Sequence, residues 1–399
     1  MSRRFLSHTP SVVGFVAFAL SFQPMSTDLY LPSLPAITQQ LGLGVSASQW
    51  TLLALLLGFA LSQLVWGPVS DRIGRRKVLL VGGAMYALSA LACALSGSGA
   101  MLIAARATMG CGLAAMIVCV RALVRDLYEV QEGQQVFARA LTGMAIAATL
   151  SGVAGGLLAK WADWRFTLGL LGVLALMLWA LTWRHVDDDG TQKVNAKADA
   201  PPAPTWAPWL HILRHAEFRL NTGLAGFTYA EAILFIGGSS LVLVRHLGVS
   251  PGTVGLLMTL YSGCFLAGTM LCRRVLRQAG RPQALRLASQ MSGTACVGFA
   301  LLALTGGWQN VLLLMLVQMA YMLGHGFNQV CSQSGAVAPF PENAGTAAAL
   351  SGTLMILCSV LLGQLQSWVL GQTPAALPCF AAVNAGMAGL LAWRLRHRW

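Results

Sequence analysis

The chain has 399 residues, 56% hydrophobic and only 10% charged, where a typical soluble domain carries about 25% charged residues. Its net charge of +13 would fit a nucleic-acid partner only through a basic, aromatic-interleaved domain, and the sequence contains no such domain. This composition describes an all-α membrane protein and excludes nucleic acid as the explanation of the charge.

Apolar windows of about 20 residues, each sufficient to cross a hydrocarbon core about 30 Å thick, recur along the chain. Twelve spans are predicted, centred near Ala19, Leu57, Ala87, Cys111, Thr149, Val173, Leu234, Ser262, Val297, Met319, Met355 and Met387. Residues 184–218, opening "RHVDDDGTQK" and continuing into a proline-rich stretch, are expected to form a cytoplasmic linker with little fixed structure. They divide the chain into an N-terminal six-helix bundle, residues 1–183, and a C-terminal one, residues 219–399. With the N-terminus inside, 22 of the 26 Lys and Arg fall on one side of the twelve spans. The positive-inside rule then puts both termini in the cytoplasm. Lys160, Arg165 and Arg245 lie on the other side, and Arg106 lies within a span. The nine cysteines fall in or beside spans without CxxC spacing; they read as small apolar residues, and no metal or cofactor is expected. Short loops and the absence of an N-x-S/T site favour the bacterial inner membrane, and a monomer is expected.

In chain order, the first polar feature is "STDLYLPSLP", which ends the first span and places Asp28 where burial of a charge costs roughly 3 kcal/mol or more. Tyr30, Trp50 and Trp161, near outer ends, fit interfacial anchors first and substrate-stacking aromatics second. Between spans two and three stands "GPVSDRIGRRK". Here Gly67 and Gly74 permit a tight turn, Asp71 pairs with Arg75 or caps a helix end, and Arg72, Arg75, Arg76 and Lys77 hold the loop at the anionic inner leaflet. The second half repeats this junction as "GTMLCRRVLRQAGRPQAL", without an acid, and so hints at a duplicated six-helix unit.

Arg106, early in an inward-going span, matches the depth of Asp28. The two form either a conformational proton switch or a static tie between helices. Glu231, in "FTYAEAILFIGG" near mid-span, has no basic residue close in sequence. It binds a proton or a cationic substrate, or is a neutral group hydrogen-bonded between helices. His325, Asn328 and Gln329, in "YMLGHGFNQVCSQS", share roughly one helix face, which lines a cavity or joins helices. Gly152 and Gly156 read as helix packing.

"GPVSDRIGRRK" resembles the helix 2–3 signature of the major facilitator superfamily, and "TDLYLPSLPAI" with "RALVRDLY" resembles the Bcr/CflA group of drug/proton antiporters. The resemblance implies the major facilitator fold, a turn at Gly67, Asp71, Arg72, Gly74, Arg75 and Arg76 that fastens the halves in the outward-open state, and export of drug-like compounds in exchange for protons. Arg106, Gly110, Gly112 and Ala114 match the family's helix 4 signature, with Met109 where a glutamine is common. The helix 5 antiporter signature is only partly met: "LSGVAGGLL" has Gly155 and Gly156, but Gly152 stands in the proline's place.

No HExxH, GxSxG or Walker pattern supports an enzyme. The expectation is a proton-driven exporter of small molecules working by alternating access, with Asp28, Arg106 and Glu231 in proton coupling and Tyr30, Glu231, His325, Asn328 and Gln329 at the substrate. A proton-coupled importer or facilitator of a small nutrient and a non-transporting membrane receptor remain as alternatives.

Overall fold

The structure, a computed structural model, describes residues 9–128, 130–186, 207–340 and 343–397. The first half contains α1 (Thr9–Asp28), the short α2 (Leu34–Gln40), α3 (Val45–Ile73), α4 (Arg75–Ala94), α5 (Gly99–Leu127), α6 (Val130–Trp161) and α7 (Trp164–His185). The second contains the short α8 (Ala207–Arg214), then α9 (Ala216–Leu241), α10 (Pro251–Thr305), α11 (Val311–Val337), α12 (Ala344–Leu370) and α13 (Ala376–Arg396).

Eleven of these helices have the length and apolarity of membrane spans. The 55-residue α10 counts as two of the predicted twelve, because Gly280, at φ 75° and ψ 179°, breaks it into an outgoing and a returning arm. Every predicted centre falls inside a helix. Leu304, Leu361 and Leu88 are 84%, 71% and 68% exposed, an outer surface suited to acyl chains and not to water.

Local chemistry sets the helix ends. Ser98 accepts a hydrogen bond from the Met101 amide at 3.3 Å to start α5. Asn310 accepts from the Leu312 and Leu313 amides at 3.0 and 3.2 Å to start α11, each satisfying an otherwise orphaned donor. Gly74, at φ 98°, lets α3 turn directly into α4.

Part of the expected linker is ordered. Ala207–Arg214 is helical and Ala216 begins α9, because "APWLHILR" has an apolar side to bury. Ile212 is fully buried, and the His215 and Phe218 rings pack edge-on against Phe340 at 5.2 and 6.2 Å. Residues 187–206 lie outside the described residues.

The chain forms two compact units, Met1–Ile37 with Thr51–Ala203, and Thr38–Trp50 with Pro204–Trp399. Within the first, α4 packs on α5 and α7, and α1 packs on α6. Within the second, the α10 arms pack on α11 and α13, while α9 packs on α12 and α13. Small residues permit equivalent close approaches in both. A side chain at Gly58 of α3 would overlap the Ala107 backbone of α5, and one at Gly268 of α10 would overlap the Leu323 backbone of α11. The segment Thr38–Trp50 joins the second unit through polar contacts: Ser46 donates to Gln364 Oε1 at 3.1 Å, and the Gln49 amide lies against Gly237, leaving no room for a Cβ.

Candidate functional site

In the first unit the polar centre is Arg106, fully buried on α5. Its Nε donates to the Thr51 carbonyl at 3.0 Å, and its two terminal nitrogens donate to the Ser26 carbonyl at 3.0 and 3.1 Å. Ser26 lies in the last turn of α1, where carbonyls lack helical partners and the dipole is negative, so a guanidinium caps the helix and finds its counter-charge there. The Tyr30 ring covers it at 4.3 Å. Ser26 Oγ reaches the Tyr86 hydroxyl at 2.6 Å.

Two expectations change here. Arg106 does not pair with Asp28; that carboxylate instead lies 2.9 Å from the Thr27 hydroxyl, because the Ser26 and Thr51 carbonyls already occupy the guanidinium. Tyr30 is not an interfacial anchor: it is 1% exposed and donates to Thr51 Oγ1 at 2.5 Å. Trp50 is half-buried and Trp161 is exposed. The glycines of the two signatures are packing positions. Gly110 lies against Leu55 of α3, Gly112 against Gly82 and Tyr86 of α4, and Gly155 against the backbone of Asp28 and Leu29.

At the α3–α4 junction Arg75 is 2% exposed. It ion-pairs with Asp71, donates to Ser70 Oγ, and ion-pairs through Nε with Asp126 of α5 at 3.1 Å. Arg76 donates to the Trp183 carbonyl of α7 at 3.0 Å and lies 5.8 Å from its ring, while Arg72 is exposed. Gly67 is not part of the turn: it lies within α3 with open space beside it, and Gly74 alone supplies the left-handed backbone. Asp126 belongs to the "RALVRDLY" stretch, yet its pairing with Arg75, 51 positions earlier, has no signature in local spacing.

In the second unit Glu231 is fully buried on α9. Its Oε2 accepts from Gln318 Nε2 of α11 at 3.5 Å. Among the described residues, Glu231 Oε1 and Gln318 Oε1 are buried without a hydrogen-bond partner, while beside them the Tyr321 hydroxyl meets the Thr228 side chain and His325 meets the Thr228 backbone. Buried polar atoms are ordinarily satisfied, so two such oxygens on neighbouring helices mark a place for a proton, water or a polar ligand group.

The predicted α11 stripe fans out. His325 stays with this cluster, its ring 6.3 Å from Tyr321 and 5.0 Å from Phe265. Asn328 instead donates to Ser292 Oγ of the returning α10 arm at 2.9 Å, an interhelical bond. Gln329 turns to α12, its Nε2 lying 3.8 Å from Met355 Sδ. Sequence reasoning missed Gln318 and Tyr321. A signal existed: Gln318 is a polar side chain inside the apolar run "VLLLMLVQMAYML".

Comparison with known proteins agrees with this architecture. A model of the Major Facilitator Superfamily matches residues 16–363. The chain is 30% identical over 379 residues to multidrug resistance protein D of Escherichia coli strain K12, covering 92% of this chain and 91% of that one. It is 28% identical over 353 residues to a chloramphenicol resistance protein of Pseudomonas aeruginosa, covering 88% and 81% respectively. The crystal structure of a D-xylose-proton symporter superposes with a TM-score of 0.73 at 14% identity, over 96% of this chain and 97% of that one.

Proposed function

Because the chain belongs to the major facilitator superfamily, we propose that it exports small drug-like compounds across the bacterial inner membrane in exchange for protons, by alternating access. The relatives carry the names of a multidrug resistance protein and a chloramphenicol resistance protein, which supports export of such compounds. In this reading residues 1–183 and 219–399 are the two transport halves, both termini and the linker are cytoplasmic, and the protein works as a monomer.

The observation that carries proton coupling is Glu231: a fully buried carboxyl group in a membrane span, whose only hydrogen-bond donor among the described residues is the neutral Gln318 amide. A carboxyl group so placed is suited to take and release a proton as its surroundings change. Asp28, at the end of α1 and free of Arg106, is the second acid of the cycle. The turn around Gly74 and Arg75 acts as the gate, with Asp126 added to it, and Tyr30, Glu231 and His325 are retained at the substrate path.

Everted membrane vesicles test this reading. An imposed proton gradient is expected to drive uptake of a fluorescent cationic dye into everted vesicles, with proton release from the lumen, and the same cells should gain resistance in a susceptibility panel. Accumulation driven in intact cells would establish import.

A further inference from the structure

The α3–α4 junction and its counterpart at Gly280 differ in one respect that bears on the bilayer. Both turn on a Gly-Arg pair with positive φ at the glycine, Gly74 and Gly280. In the first, the residue three before the glycine is Asp71, which pairs with Arg75, and Asp126 completes the neutralisation. In the second, the same position is Arg277. Arg281, the counterpart of Arg75, has Asn221 Oδ1 among its acceptors, at 3.0 Å. Arg273, Arg274 and Arg277 are exposed, and among the described residues none of them has a carboxylate partner.

These three arginines line a groove of about 560 Å³ whose other walls are Ala267, Met270 and Leu271. From Met270 to Arg277 the helix rises about 10 Å, so the groove is apolar deeper in the span and cationic at its end. That is the order in which a phospholipid presents acyl chain and phosphate. The volume lies in the range of small-ligand sites, roughly 300–1,000 Å³. The side-chain chemistry is selective too: after residue 203 the chain has eleven arginines and no lysine, and the planar guanidinium fork matches phosphate oxygens bidentately. Arg277 Nε donates to the Arg273 backbone carbonyl at 3.4 Å, which folds the Arg277 side chain back over the preceding turn. A second groove of about 510 Å³ in the same unit has similar lining, with Leu220 and Trp393 beside Arg394 and His397.

We propose that the groove of Arg273, Arg274 and Arg277 is a binding site for the headgroup of an anionic phospholipid, which supplies negative charge where the first half has Asp71. The assignment to the inner leaflet rests on the topology proposed above; binding itself does not. The test is therefore made in nanodiscs with identical leaflets. Purified full-length protein is reconstituted in equal parts phosphatidylglycerol and phosphatidylcholine, released into the gas phase, and the retained lipids are counted by native mass spectrometry. The wild type is expected to retain phosphatidylglycerol over phosphatidylcholine.

Replacing Arg273, Arg274 and Arg277 together by Gln should cut that retention roughly tenfold or more, given the attraction contributed by each arginine near a lipid surface. Arg277→Lys, which keeps the charge and lacks the fork, should cause a partial loss even if the triple variant fails to fold. A charge-matched control replacing Arg139, Arg214 and Arg286 by Gln should retain lipid as the wild type does. Equal retention of both lipids by the wild type, no loss in the groove variants, or equal loss in the control would each overturn the site. Displacement of the lipid by millimolar inorganic phosphate would also overturn it, showing a small-anion site instead.

Discussion

Gln318 of α11 donates through Nε2 to Oε2 of the fully buried Glu231 of α9 at 3.5 Å, whereas the fully buried Arg106 of α5 is held by the carbonyls of Ser26 and Thr51. The first half thus buries a permanent cation and the second a neutral amide beside a carboxyl group. Gln318→Arg should place a guanidinium beside Glu231 and hold its negative charge. Gradient-driven efflux is expected to fall at least about tenfold while the folded yield is kept, since the pair would compensate its own burial. Wild-type efflux would show that the charge state of Glu231 does not enter the cycle.

Glu231→Gln removes the charge with little change in volume. Efflux of a cationic substrate is expected to fall more than that of a neutral one at matched expression. Equal losses for both would assign Glu231 to proton coupling alone, and no loss for either would make it a structural group.

The separation of Asp28 from Arg106 predicts different outcomes for the two residues. Asp28→Asn keeps a hydrogen-bonding partner for Thr27, so the protein should fold, lose gradient-driven transport and retain downhill exchange. Arg106→Lys cannot serve the Ser26 and Thr51 carbonyls together. It should destabilise the protein by roughly 1.5–3 kcal/mol, as expected when charged hydrogen bonds are lost in a buried site. Thermal melts followed by size-exclusion chromatography measure this, and an unchanged melt would refute the capping role.

At the α3–α4 junction, the Asp126 side chain is 12% exposed and that of Asp71 is 52% exposed. Asp126→Asn should therefore cost more than Asp71→Asn, roughly 2–3 kcal/mol against under about 1, because a pair shielded from water is screened less than an exposed one. Asp71→Asn is expected to slow transport in a protein that remains inserted and folded. The reverse ranking in thermal melts would place the main closure contact at Asp71.

Reporter tags at both termini and in residues 187–206 should all report the cytoplasm, and cysteines introduced into the "SGSG" and "TGGWQ" loops should react with an impermeant reagent from outside. A tag in 187–206 labelled from outside would overturn the proposed orientation.

The sequence by itself determined the membrane class, the twelve spans and the Gly-Arg turns, because these depend on properties summed or repeated along the chain. Apolar length fixes a span whatever it packs against, and a glycine is marked wherever backbone geometry demands one. It also singled out Asp28, Arg106 and Glu231, since an ionisable residue within an apolar run stands out without knowledge of its neighbours. Their partners depend on which helices lie side by side and how each is rotated. Arg106 turned to the carbonyls of Ser26 and Thr51 because α1 ends beside it, and Asp126 met Arg75 across 51 positions. Asn328 and Gln329, adjacent in sequence, faced different helices because one residue rotates a helix by about 100°. Tertiary structure alone decided these pairings, and with them which polar atoms of the Glu231 cluster were left without a partner.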